Sequence, residues 1–161
     1  MTAPTVRFMI GALVILVVSA GGFARVVAQS EQAASTHQAL TFDGDTALLT
    51  VAIRPDKTAD FEGIMTKLRA ALQKSPDPMR RQQADGWKVM RMAKPLADGN
   101  IAYVHIIHPV IAGADYTIMQ TLYDAYPDER RALYDQYRGA FAQNLSLATG
   151  SIAVDLSPGR P

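Results

Sequence analysis

The 161-residue chain has three histidines and no cysteine, so the positions able to do acid–base, metal or nucleophilic chemistry are few. His105 and His108 lie in the run IAYVHIIHPV. Three residues apart on a strand, they point to opposite faces and cannot jointly hold a metal ion. There is no HExxH pair, no Cys/His cluster, no glycine-rich phosphate loop and no GxSxG elbow. No metal and no cofactor are therefore expected. The constellation best suited to chemistry is His105 with Tyr103 and, across a hairpin, Trp87. A histidine can move protons near neutral pH, which makes His105 the one candidate catalytic residue. Aromatic walls suit a small apolar ligand. Arg91 can pair with an anion or with an acid of a partner. The same residues also read as rings buried in an interface, with His105 a satisfied polar group. Trp87, Val89, Arg91, Tyr103, His105 and Ile107 are thus the candidate ligand or dimer face.

These residues need a sheet to hold them. Trp87–Val110 reads as two strands around a turn, and Ile101–His108 is apolar on both alternating faces, as in a strand covered on each side. Two hairpin registers fit. A two-residue Asp98-Gly99 turn sets odd positions against even ones; a three-residue Ala97-Asp98-Gly99 loop with Gly99 left-handed sets odd against odd. The second segregates the side chains better and is preferred. Met90, Met92, Ala102, Val104 and Ile106 then form an apolar face suited to the underside of two helices, and the Trp87–His105 set is left open.

The remaining elements follow from periodicity. Thr46–Arg54 alternates as a strand, ended by Pro55. Lys57–Lys74 carries Phe61, Ile64, Met65, Leu68 and Leu72 at helical spacing, with Thr58 or Asp60 as cap. Met79–Ala84 adds one or two helical turns. Asp115 is placed as the cap of a second helical region, and Pro127 as the start of its continuation through Leu133, Tyr134, Tyr137 and Phe141. The tyrosines at 116, 123, 126, 134 and 137 read as amphipathic packing. Residues 144–150 read as loop, and Ile152, Val154 and Leu156 as the last strand. The resulting βαββαβ order is that of a ferredoxin-like α+β fold: a four-stranded antiparallel sheet with both helices on one face.

The first 28 residues read differently. A basic start at Arg7, an apolar run from Phe8 to Val18 and small side chains at Val26-Val27-Ala28 have the order of a secretory signal. The run is short for a span, which needs about 20 apolar residues. A cleaved signal is preferred to an uncleaved N-terminal anchor, the one way this chain would meet a membrane. Both place the domain outside the cytoplasm, in the periplasm or secreted. Without residues 1–28, which hold Arg7 and Arg25 and no acid, 14 basic and 15 acidic side chains remain, a net charge of −1. That balance shows no footprint for nucleic acid. Residues 29–44 read as a flexible tether, 45–157 as the domain and 158–161 as a tail.

The segments ADFEGIM (59–65), RRQQADGWKV (80–89), GADYTIMQTLYDAYPDE (113–129) and LYDQYRGAF (133–141) resemble a set of small exported bacterial proteins of unassigned function. Their layout is similar to dimeric α+β-barrel proteins, in which two ferredoxin-like sheets pack face to face. The resemblance implies a homodimer and carries over no catalytic residue. The sequence therefore supports an exported binding or accessory protein that dimerises through its open sheet face. The alternatives are a cofactor-free monooxygenase-like enzyme using His105 as acid/base, and an inhibitor- or chaperone-like module that docks on another protein.

Overall fold

A computed structural model describes residues 37–157. The leader expected over residues 1–28 lies outside the described residues. The chain runs β1 (Thr46–Ile53), α1 (Thr58–Lys74), α2 (Pro78–Gly86), β2 (Trp87–Arg91), β3 (Ile101–Ile107), α3 (Ile118–Ala125), α4 (Arg130–Ala140) and β4 (Phe141–Gly150). All strand pairs are antiparallel and the sheet order is β2-β3-β1-β4. This is the ferredoxin-like α+β arrangement.

Local chemistry accounts for most boundaries. Pro55 ends β1 and opens a short 3-10 turn, Pro55–Lys57, that leads into α1. Phe61, Ile64, Leu68 and Leu72 are all buried, as their spacing predicts for one apolar stripe. Neither Thr58 nor Asp60 caps α1; the N-cap is Lys57, with no side-chain cap bond. Asp77 caps α2, its side chain accepting from Met79 N at 2.9 Å. Gly86 ends α2 where the backbone of His108 and Pro109 comes close: a Cβ there would stand 2.8 Å from the Pro109 carbonyl oxygen.

The β2–β3 register sets odd positions against odd, with Trp87 opposite Ile107, Val89 opposite His105 and Arg91 opposite Tyr103. Gly99 is left-handed, with φ +82°. The connection is longer than a three-residue loop, however, because β2 ends at Arg91 and β3 begins at Ile101.

Three expectations are corrected. The first concerns which face the helices cover. Tyr103, with Val51 and Ile53 of β1, packs on Phe61 of α1 and Ala140 of α4, while Ile107 and Ala47 pack with Ala114 and Tyr116. The helices therefore lie over the odd-numbered face, the one expected to be open. The even-numbered face, expected beneath them, carries the exposed side chains Leu48, Met90 and Met92. The reason lies in α1: Phe61 needs aromatic and β-branched partners at a depth that Tyr103 and Ile53 fill, with Phe61 and Tyr103 ring centroids 4.8 Å apart.

The second concerns the last strand. Helix α4 stops at Ala140, β4 runs from Phe141 to Gly150, and residues 151–157 are not a strand. Phe141 continues the helical spacing and still meets Tyr137, at 5.5 Å between centroids, so periodicity ran on through a change of structure. β4 also breaks its own alternation: its register against β1 shifts between Thr50 and Val51 and again between Ala52 and Ile53.

The third concerns residues 37–44, read as part of a tether. Leu40 N donates to Asp115 Oδ1 at 2.9 Å, Tyr116 N donates to Leu40 O at 2.8 Å, and Phe42 is buried against Tyr116. Asp115 is therefore a clamp for this segment and not the cap of α3, whose N-cap is Thr117.

Candidate functional site

β3 delivers three side chains to the space beneath the helices: Tyr103, His105 and Ile107, all buried. β2 brings Trp87 beside them from the sheet edge. The Trp87 indole Nε1 donates to His105 Nδ1 at 3.1 Å. An accepting Nδ1 places the ring proton of neutral His105 on Nε2. That nitrogen is buried and has no hydrogen-bond partner. The ring is fully buried, and desolvation pushes its pKa down from 6.5 to about 4. At neutral pH His105 is an uncharged imidazole enclosed by aromatic rings, with Phe61 edge-on at 6.1 Å and Trp87 at 5.9 Å.

The rest of the sequence-derived constellation divides. Tyr103 buries its ring, and its hydroxyl donates to Glu62 Oε1 at 2.6 Å. Arg91 Nη1 donates to the same oxygen at 3.1 Å. The anion that Arg91 meets is thus an acid of its own chain, on α1. Burial, with Glu62 adding to it, pushes the Tyr103 hydroxyl up to about 12. Val89 stands on the sheet edge and is exposed. Tyr103, His105, Ile107 and Trp87 are brought together; Arg91 and Val89 lie at the margin. His108, on the other face of β3, is exposed and within 3.0 Å of Thr46 Oγ1 through Nδ1.

Between sheet and helices lies a cavity of about 330 Å³. Leu49 and Ile107 of the sheet line it, with Trp87 on one side and Tyr137 and Phe141 on another. Phe42, Tyr116 and Met119 close more of it, and Asn144 of β4 adds an amide. His105 does not line it. Tyr116 uses its hydroxyl to accept from Ile111 N at 2.8 Å, holding the 111–116 loop against the rings. Burial pushes the Tyr137 hydroxyl up to about 12, so it remains a neutral hydrogen-bonding group at physiological pH. A volume of a few hundred Å³ with aromatic walls and few polar groups is the usual form of a small-molecule site.

Periodicity reads Tyr116 and Tyr137 as packing, and Phe42 falls within the expected tether. The available signal was the density of aromatic residues around Trp87; nothing in the order of residues said that 40–42 folds back over the sheet. Among the described residues no cluster of three or more metal-ligating side chains occurs. Comparison of the chain with known family models, curated proteins and solved structures finds no match.

Proposed function

We propose that this is an exported small binding or accessory protein that forms a homodimer through its open sheet face and takes a small apolar ligand on the opposite, helix-covered side. The observation that carries the reading is the composition of the even-numbered face. Leu48, Met90 and Met92 are 40%, 45% and 43% exposed, and Val104 and Ile106 lie half-buried in the strand between β1 and β2. Apolar side chains grouped this way on a sheet favour contact with a second body. A second copy of the same sheet supplies a matching flat apolar surface, and sheets stack face to face at about 10 Å. Methionine suits such a contact, because its flexible thioether adapts to an opposing surface.

The aromatic cavity supports the ligand half of the reading. Its walls are rings and aliphatic groups, with the Tyr137 hydroxyl and Asn144 amide as polar handles. Acid–base catalysis by His105 finds less support, since the ring is buried and held neutral.

Sedimentation of the chain from residue 29 onward tests the dimer. The expected result is a dimer at micromolar concentration that Leu48→Glu with Met90→Lys converts to a folded monomer. A monomeric parent protein, or a dimer indifferent to both substitutions, defeats the reading.

A further inference from the structure

A second concavity, of about 350 Å³, runs between α1, α2 and the edge strand β2. Its floor is apolar: Leu68 and Leu72 of α1, Ala84 of α2, and Trp87 and Val89 of β2. Arg69 and Lys88 also line it, and none of its lining residues is acidic. Both cations are exposed, and neither makes an ion pair or a side-chain hydrogen bond with any described residue. By contrast Lys57, Lys67, Arg80, Arg91 and Arg131 each meet a carboxylate. The groove thus collects cations that the fold leaves uncompensated.

The strand edge adds a donor. Met92 N donates to Ala102 O and His108 N donates to Gly86 O, both at 2.9 Å, so the even-numbered residues of β2 turn their backbone groups toward β3. Alternation then turns the Val89 N–H outward, off the free edge and beside the groove that this residue lines. A backbone N–H and two cations beside an apolar floor complement one chemistry: an anionic head on an apolar tail. A 350 Å³ space holds roughly a dozen non-hydrogen atoms at the ~30 Å³ that each small group occupies in a liquid. We propose that this groove binds a free medium-chain monocarboxylate, its tail over Leu68, Leu72 and Trp87 and its carboxylate on Val89 N–H, Arg69 and Lys88. Lys88 is an even-numbered residue at the sheet's free edge, so the groove adjoins the open sheet face at that one residue; Arg69, Val89 and the apolar floor lie off it.

Trp87 is the only tryptophan, so its emission reports on the groove directly. The full chain is titrated with decanoate below its aggregation concentration, in parallel with decanol and decyltrimethylammonium. Decanoate is expected to shift Trp87 emission saturably and to bind at least tenfold more tightly than either other probe. R69Q/K88Q changes two exposed side chains and leaves the core intact; it is expected to reduce decanoate binding to the level of decanol. Ala84→Leu fills the groove and is expected to abolish binding with unchanged circular dichroism. Trp87 also lines the aromatic cavity, so decanoate binding that survives Ala84→Leu assigns the ligand there and overturns the proposal. Equal affinity for decanoate and decanol, undiminished binding by R69Q/K88Q, or no saturable shift overturns it as well.

Discussion

The two faces of one sheet differ more than their sequences do. On β3 the odd set Tyr103, His105 and Ile107 and the even set Ala102, Val104 and Ile106 are both mostly apolar. The odd set is buried beneath α1 and its neighbours; the even set shares its side with exposed Leu48, Met90 and Met92. Hydropathy alone ranks the even face as the better core, since Met90, Met92, Ala102, Val104 and Ile106 are all apolar. The structure chooses the other. Neighbours satisfy the polar groups of the odd face at every named atom but His105 Nε2: Trp87 donates to His105 Nδ1, and Glu62 accepts from Tyr103 and Arg91. A face that looks mixed in sequence can become core when most of its few polar atoms find partners, because each unpartnered buried group carries a cost.

Four experiments sharpen or break this contrast. The largest effect is expected from Phe61→Ala, which removes the ring that Tyr103 packs on: about 3–5 kcal/mol of stability by urea unfolding, against less than about 1 kcal/mol for Met90→Ala measured at a concentration where the chain is monomeric. Similar costs at both sites would erase the distinction between the faces.

The second is a pH effect. Folding depresses the pKa of His105 from 6.5 to about 4. Between those values the unfolded chain binds the proton and the folded chain does not, so stability is complete above about pH 6.5 and declines as pH falls toward 4. The loss reaches about 3 kcal/mol. Urea midpoints from pH 7.5 to pH 4 for the parent and for His105→Phe measure it; a parent no more acid-sensitive than the variant would mean that this ring is not buried as described. The carboxyl of Asp115, held below its usual range by hydrogen bonds from Thr117, His37 and Leu40 that outweigh its partial burial, adds acid sensitivity only at lower pH.

Third, Trp87→Phe keeps a ring in place but leaves His105 with neither nitrogen bonded, at an expected cost of about 1–3 kcal/mol by urea unfolding. In His105→Phe the same Trp87 substitution should cost measurably less, since the shared bond is already gone. The smallest effect is expected from ending the chain at Gly150. Ile152, Val154 and Leu156 are exposed, Leu156 by 91%, and among the described residues of this segment only Ile152 N hydrogen-bonds back, to Asp45. Loss of the segment should change monomer stability by less than about 0.5 kcal/mol, read from thermal unfolding.

Much of this is legible in the order of residues. The stripe Phe61, Ile64, Leu68, Leu72 marked α1 and its buried side. Gly99 marked a left-handed turn, and side-chain segregation selected the odd-to-odd register. The candidate site is half legible: odd-to-odd parity puts Trp87 and His105 on one face of the hairpin, but the cavity wall supplied by Phe42, Tyr116 and Tyr137 comes from segments whose meeting is nonlocal. The last strand was misplaced for a local reason. Ile152, Val154 and Leu156 alternate with stronger β-formers than Leu145 and Leu147, yet β1 pairs with residues 141–150, because a backbone edge needs partners at the right distance whatever its side chains prefer.

Sequence by itself determined the order of strands and helices around the sheet, the parity of the hairpin and the identity of the residues on each face of β1, β2 and β3, because those depend on spacing along one chain. Only tertiary structure decided which face the helices cover, which strand completes the sheet, and that His105 is sealed and neutral. These depend on distances between segments far apart in the chain, where fit and hydrogen-bond partners outweigh hydropathy.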